Sequence, residues 1–293
     1  MRTVLLTGAG GFTGRYLQKA LEGRGYRVVP LQHEGPNPCD LTDPATTECA
    51  VRDARPDAVL HLAALSFVGH GNPEEFYRVN VLGTLNLLQA LAGLKSPPQR
   101  VLIASSGNVY GTPDIELLDE SVCPAPVNHY ANSKLAMEHM VRANWFSRMP
   151  IVITRPFNYT GPGQAKHFLI PKIVGHFRDR AAFIELGNLE VSRDFSDVDD
   201  VVAAYLALLE SEIHSETVNI CSGQGIALLE VIRIMNQLAG YEIEIRVNPE
   251  FVRENEVPRL VGSNAKLRSL LKLPAPRPFA ETLKRMYEAR EGP

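Results

Sequence analysis

Residues 3–14, "TVLLTGAGGFTG", run from a short apolar strand pattern into three glycines spaced three apart. "TVLLT" predicts a buried strand, and a helical pattern follows from about Phe12 to Arg24. Between them Gly8 permits the tight turn, Gly11 lets a pyrophosphate approach the backbone, and Gly14 lets the helix pack against the strand. The helix N-terminus then meets the phosphate charge. A glycine triplet also suits a plain strand–helix turn. Here strand, turn and helix stand in the order that dinucleotide binding requires.

The same rhythm continues outward. "YRVVPL" (26–31), "DAVLHLAA" (57–64), "RVLIASS" (100–106) and "IVITRP" (151–156) predict strands, with helical patterns over 43–54, 74–94 and 130–148. Continuous apolar strands between helices predict a parallel sheet covered on both faces, hence a doubly wound α/β fold. Residues 1–156 form the expected dinucleotide-binding domain, and 157–293 mostly a small C-terminal substrate lobe. Parts of 184–225 are expected to extend the sheet. "FNYTGPGQAKHF" (157–168) reads as a loop. Further helices are expected over 197–211, 227–240 and 279–290, and strands over 216–221 and 242–247.

The 293 residues are 45% hydrophobic and 22% charged, with a net charge of −3. No basic excess points to nucleic acid or a membrane surface. Cys39, Cys49, Cys123 and Cys221 lack metal-ligand spacing, and no metal site is expected. No apolar run reaches the length of a membrane span, and a cytoplasmic protein is expected.

An NAD site usually places an acid at the end of the second strand, where Gln32 stands. NADP(H) is therefore favoured, with NAD(H) as the alternative. Arg15 and His33 are candidates to meet a 2′-phosphate.

"YANSK" (130–134) places Tyr130 and Lys134 on one helix face. Lys134 near Tyr130 would lower the phenol's pKa, and a phenol so tuned exchanges a proton with a carbonyl oxygen. Without other signals the two are surface residues of one helix. Ser106 ends the fourth strand, where open α/β sheets bind ligands, and would orient the carbonyl; otherwise it caps a turn.

"TGAGGFTG", "CDLTD", "HLAALS", "NPEEFYRVNVLGTLNLLQA", "SSGNVYG", "YANSK", "RPFNYTGPGQ" and "RDFSDVDDVVAAY" together resemble nucleotide-sugar enzymes of the extended short-chain dehydrogenase/reductase branch, a Rossmann fold. The resemblance implies Ser106, Tyr130 and Lys134 as the catalytic set. It implies a cofactor site of Gly8, Gly11, Phe12, Thr13, Gly14, Gln32, Asp40, Leu41, Ala63, Ala64, Asn80, Ser105, Tyr130, Lys134 and Pro156. Asp40 also reads as part of a turn before a helix, and Asn80 as a polar residue on an amphipathic helix.

The C-terminal half is similar to the GDP-6-deoxy-D-mannose reductases, which reduce a 4-keto GDP-sugar to GDP-D-rhamnose. That likeness implies substrate contacts at Ser66, Val68, Ser106, Asn158, Lys172, Arg193, Arg253 and Glu256. Each of the cations also reads as a solvated charge, Asn158 as a turn residue, and Arg193 as a local partner of Asp194. The acid that 4,6-dehydratases carry two positions after the catalytic Ser/Thr is replaced by Asn108. A 4-epimerase needs the same set, and a non-catalytic dinucleotide sensor usually lacks Tyr or Lys. A homodimer through 74–94 and 130–148 is expected, since Leu85, Leu88, Met137, Met140 and Trp145 exceed one apolar stripe; the alternative is deeper burial.

Overall fold

A computed structural model describes residues 2–32, 38–66, 71–252 and 257–289. The first half alternates β1 (Thr3–Thr7), α1 (Phe12–Gly23), β2 (Arg27–Leu31), α2 (Pro44–Ala54), β3 (Ala58–His61), α3 (Pro73–Tyr77), α4 (Gly83–Ala92), β4 (Arg100–Ala104), α5 (His129–Asn144) and β5 (Ile151–Pro156). The second half holds β6 (Asn158–Thr160), α6 (Leu169–Arg178), β7 (Phe183–Leu186), β8 (Ser192–Asp197), α7 (Val198–Leu209), β9 (Glu216–Ile220), β10 (Gly225–Ala227), α8 (Leu228–Ala239), β11 (Glu244–Val247), β12 (Arg259–Leu260), α9 (Ala265–Leu270) and α10 (Phe279–Glu288).

The main sheet has the order β2-β1-β3-β4-β5-β9, and every pair is parallel. Its strands are apolar at successive positions because both faces are covered. Val4, Leu6, Leu60, Leu102 and Val152 pack toward α1 and α7. Leu5, Val59, Val101, Ile103 and Ile153 pack toward α2, α4 and α5. Burying each such side chain contributes roughly 1.5–3 kcal/mol. A further core joins α6, α8 and α10 to β7 and β8 through Phe177, Ile184, Phe195, Val231 and Leu283.

The structure departs from the sequence expectation in several places. The helix expected over 74–94 is α3, a π-helical turn at Arg78–Leu82, and α4. Within the expected loop, Asn158–Thr160 form β6, which pairs parallel with β8. Leu88, Met137 and Trp145 lie in the sheet's core, with Leu85 and Met140 packed against it, so this apolar excess is consumed within the chain.

Candidate active site

The carboxyl ends of β1, β3, β4 and β5 border one cleft of about 960 Å³. The glycine turn forms one wall. Gly8 takes φ +70°, and a Cβ there would stand 2.9 Å from the Ala63 nitrogen. A Cβ on Gly14 would stand 2.2 Å from the Gly8 carbonyl oxygen. Among the described residues no side chain caps α1, whose N-cap is Gly11, so its first N–H groups are placed to meet an anion. This cradle fits the pyrophosphate of a pyridine dinucleotide. Gln32, Asp40 and Leu41 line the same wall. Asp40 accepts from the Thr42 N–H at 2.8 Å, while Asp43 caps α2. Arg15 lines the cleft and donates to the carbonyls of Gly10 (2.9 Å) and Gly163 (3.2 Å). His33 lies outside the described residues.

Thr7 holds the next segment in place. Its hydroxyl accepts from the Ala63 N–H at 3.1 Å and shares a hydrogen bond with His61 Nδ1 at 2.7 Å. His61 Nε2 meets Thr84 Oγ1 at 2.8 Å. Burial, with the nearby Lys134 charge, pushes His61 down to about 3.

α5 delivers Tyr130 and Lys134, with Asn128 capping it through the Ala131 N–H at 2.9 Å. Ser106 follows β4, accepts from the Asn108 N–H at 3.2 Å, and stands beside the Tyr130 side chain. All three line the cleft. Burial pushes the Tyr130 phenol up to about 12, although the neighbouring Ser106 opposes it. This corrects the expectation that Lys134 lowers the phenol: desolvation governs its shift. Lys134 Nζ donates to the Ala104 carbonyl at 2.7 Å. Burial pulls the ammonium down to about 8, with Glu138 acting in the opposite sense.

Phe12, Thr13, Ala63, Ala64, Ser105 and Pro156 line the cleft, as do Ser66 and Asn158. Asn80 does not; it is 1% exposed and supports the wall from behind. Its side chain accepts from the Leu65 N–H at 2.9 Å and donates to Ser133 Oγ at 2.9 Å. Lys172 and Arg193 are also absent from the described lining. Lys172 donates to the Glu185 carbonyl at 2.7 Å and lies 4.2 Å from the Phe251 ring centroid. Arg193 donates to the carbonyls of Ser192 and Pro258. Asp194 turns inward and accepts from Ser222 and Gly223 instead. Val68, Arg253 and Glu256 lie outside the described residues.

Sequence reasoning missed Tyr159, whose hydroxyl meets Thr13 Oγ1 at 2.6 Å within the cleft. Tyr16 donates to the Pro162 carbonyl at 2.7 Å, so this bond and the Arg15 contact fasten the 159–163 stretch to the glycine turn. It also missed Glu138, although four-residue spacing from Lys134 places it on the same helix face.

The chain is 39% identical over 269 residues to "GDP-6-deoxy-D-talose 4-dehydrogenase" of Aggregatibacter actinomycetemcomitans, covering 92% of this chain and 90% of that one. It is 35% identical over 280 residues to "GDP-6-deoxy-D-mannose reductase" of Pseudomonas aeruginosa, covering 90% and 89%. The solved structure of RMD from Pseudomonas aeruginosa complexed with NADPH superimposes with a TM-score of 0.87 at 32% identity, covering 98% of each chain. A Burkholderia cenocepacia J2315 structure, put forward as an epimerase, gives 0.91 at 47% identity, covering 98% and 97%. The pattern of the NAD dependent epimerase/dehydratase family matches residues 4–221. The cleft therefore has a lineage: this chain belongs to the NAD dependent epimerase/dehydratase family, the extended short-chain dehydrogenases and reductases, and is an enzyme of that kind.

Proposed function

We propose that the chain reduces the 4-keto group of GDP-4-dehydro-6-deoxy-D-mannose to give GDP-D-rhamnose, with NADP(H) favoured over NAD(H). The observation that carries the reading is the meeting of Ser106, Tyr130 and Lys134 beside the glycine cradle. The likeness to the Pseudomonas aeruginosa reductase supports the GDP-sugar. Gln32 in place of an acid, and the NADPH held by a similar structure, support the cofactor preference.

A bound dihydronicotinamide supplies the hydride to C4. Tyr130 keeps its proton near neutral pH because burial holds it high, which is the state that protonates the developing alkoxide. Ser106, beside Tyr130 in the cleft, would orient the same oxygen. Lys134 supplies positive charge one turn along α5. Asn158, at the start of β6, lines the cleft and would meet the sugar diphosphate. Val68, Lys172, Arg193, Arg253 and Glu256 complete the substrate set in this reading; Lys172 and Arg193 donate to backbone carbonyls.

The test is NADPH consumption with GDP-4-dehydro-6-deoxymannose, followed by NMR of the product. Stoichiometric consumption with a D-rhamnose product is expected. The likeness to the talose dehydrogenase favours a second outcome, the same reduction with opposite configuration at C4. Interconversion of two sugars without net consumption would overturn both readings in favour of a 4-epimerase.

No helix among the described residues is long and apolar enough to cross a membrane, in keeping with the proposed cytoplasmic setting. A homodimer through the α3–α4 and α5 faces rests on Leu82, 50% exposed on the π-helical turn. Light scattering that gave a monomer mass would remove it.

A further inference from the structure

Glu138 lies one turn beyond Lys134 on α5, is 1% exposed, and stands behind the described cleft lining. Its carboxylate accepts from Ser105 Oγ at 2.6 Å, from Arg155 Nε at 2.9 Å and Nη2 at 2.6 Å, and from Arg142 Nη2 at 3.1 Å. Arg155 is itself 1% exposed, next to Pro156 on β5, with its guanidinium carbon 4.8 Å from the Tyr110 ring centroid. A buried ion pair seldom stabilises a fold more than apolar residues of the same volume. Stability alone therefore leaves the place of this pair unexplained.

We propose that Glu138, with Arg155 as its counter-ion, is a positioning residue for the Ser106–Tyr130–Lys134 set. Ser105 lines the cleft and is peptide-bonded to Ser106, so its bond to Glu138 fixes the end of β4. The two Arg155 bonds join α5 to β5, whose next residue lines the cleft. One carboxylate thus locks three elements together at the level of the reacting groups.

It also sets the charge there. The Lys134 ammonium donates to the Ala104 carbonyl, and the charged or titratable groups coupled to it are Glu138 on α5, with Arg142 and Arg155 bonded to that carboxylate, and His61 on β3. His61 is neutral near neutrality, and Tyr130 holds its proton. Glu138, one turn along α5, favours the charged form of Lys134 against its burial. The inference rests on the catalytic reading of the three residues, and its test includes a readout that needs no sugar.

Glu138→Gln keeps the shape and removes the charge. Coenzyme binding is followed by reduced-nicotinamide fluorescence, and turnover by NADPH consumption with the keto-sugar, both across pH. Coenzyme should still bind, kcat should fall by up to about 100-fold with KM little changed, and the alkaline limb of both profiles should move down by about one pH unit. Glu138→Asp should restore the limb but only part of kcat. A loss of kcat with the limb unmoved would mark a merely structural role and overturn the proposal. If Glu138→Gln does not fold, Ser105→Ala cuts the link from Glu138 to the end of β4 and leaves both charges in place: kcat should fall with coenzyme still bound, and an unchanged kcat would overturn the proposal. Wild-type protein that binds NADPH yet ignores the keto-sugar would refute the substrate reading, while the pH limb of coenzyme binding would still decide for or against Glu138.

Discussion

Tyr130 is 9% exposed, and its phenol stands beside Ser106 in the cleft. Removing that hydroxyl leaves the ring packed on Phe76, 6.2 Å away between centroids. Tyr130→Phe should therefore fold, bind coenzyme as before, and lose about 10²–10⁴-fold in kcat. Fluorescence titration beside the turnover assay checks this; intact turnover would refute Tyr130 as the proton donor. His61 sets a different pH dependence. Its folded pKa of about 3 lies below the ordinary 6.5, so the unfolded chain binds the extra proton between those values. Its stabilising contribution is present above about 6.5 and is lost as pH falls toward 3. Urea midpoints should drop over that window, and His61→Gln should flatten the drop. The shared placement of Tyr130 and Lys134 in one cleft was legible from their spacing. Burial was not: the phenol rises to about 12 because of what surrounds it.

At the scale of the element, the glycine turn and the π-helical turn both border the cleft. A methyl on Gly14 has no room beside the Gly8 carbonyl. Gly14→Ala should weaken coenzyme binding at least tenfold, measured by titration, with most of the melting temperature kept if the turn shifts locally. Asn80 on the π-helical turn bonds both Leu65 backbone groups and Ser133. Asn80→Ala leaves those partners unsatisfied at about 1–3 kcal/mol, and should lower the melting temperature measurably. The strands up to Pro156 were legible because continuous apolar runs between helices admit few other folds. The π-helical turn was not, since one extra residue per turn leaves the apolar pattern of "VNVLGTLNLL" unchanged. β6 was hidden by its loop-like composition, and only pairing with β8, distant in sequence, makes it a strand.

Across the whole molecule, β9 and α7 come from the second half of the chain yet complete the sheet and its cover. α10 closes the second core, with Arg285 bonded to Asp197 and Asp199 and Thr282 to Asp197. Cutting the chain before Phe279 should therefore lower its melting temperature by several degrees or leave it insoluble. Thr13, Tyr16 and Arg15 on the coenzyme side hold Tyr159, Pro162 and Gly163, beside Asn158 on the sugar side. Ordering the glycine turn with NADPH should slow deuterium exchange across 159–164, and Tyr159→Phe should weaken that protection. Two guests seated against one shared wall do not bind independently. Thermodynamic reciprocity requires that whatever factor the coenzyme lends to sugar affinity, the sugar returns to the coenzyme.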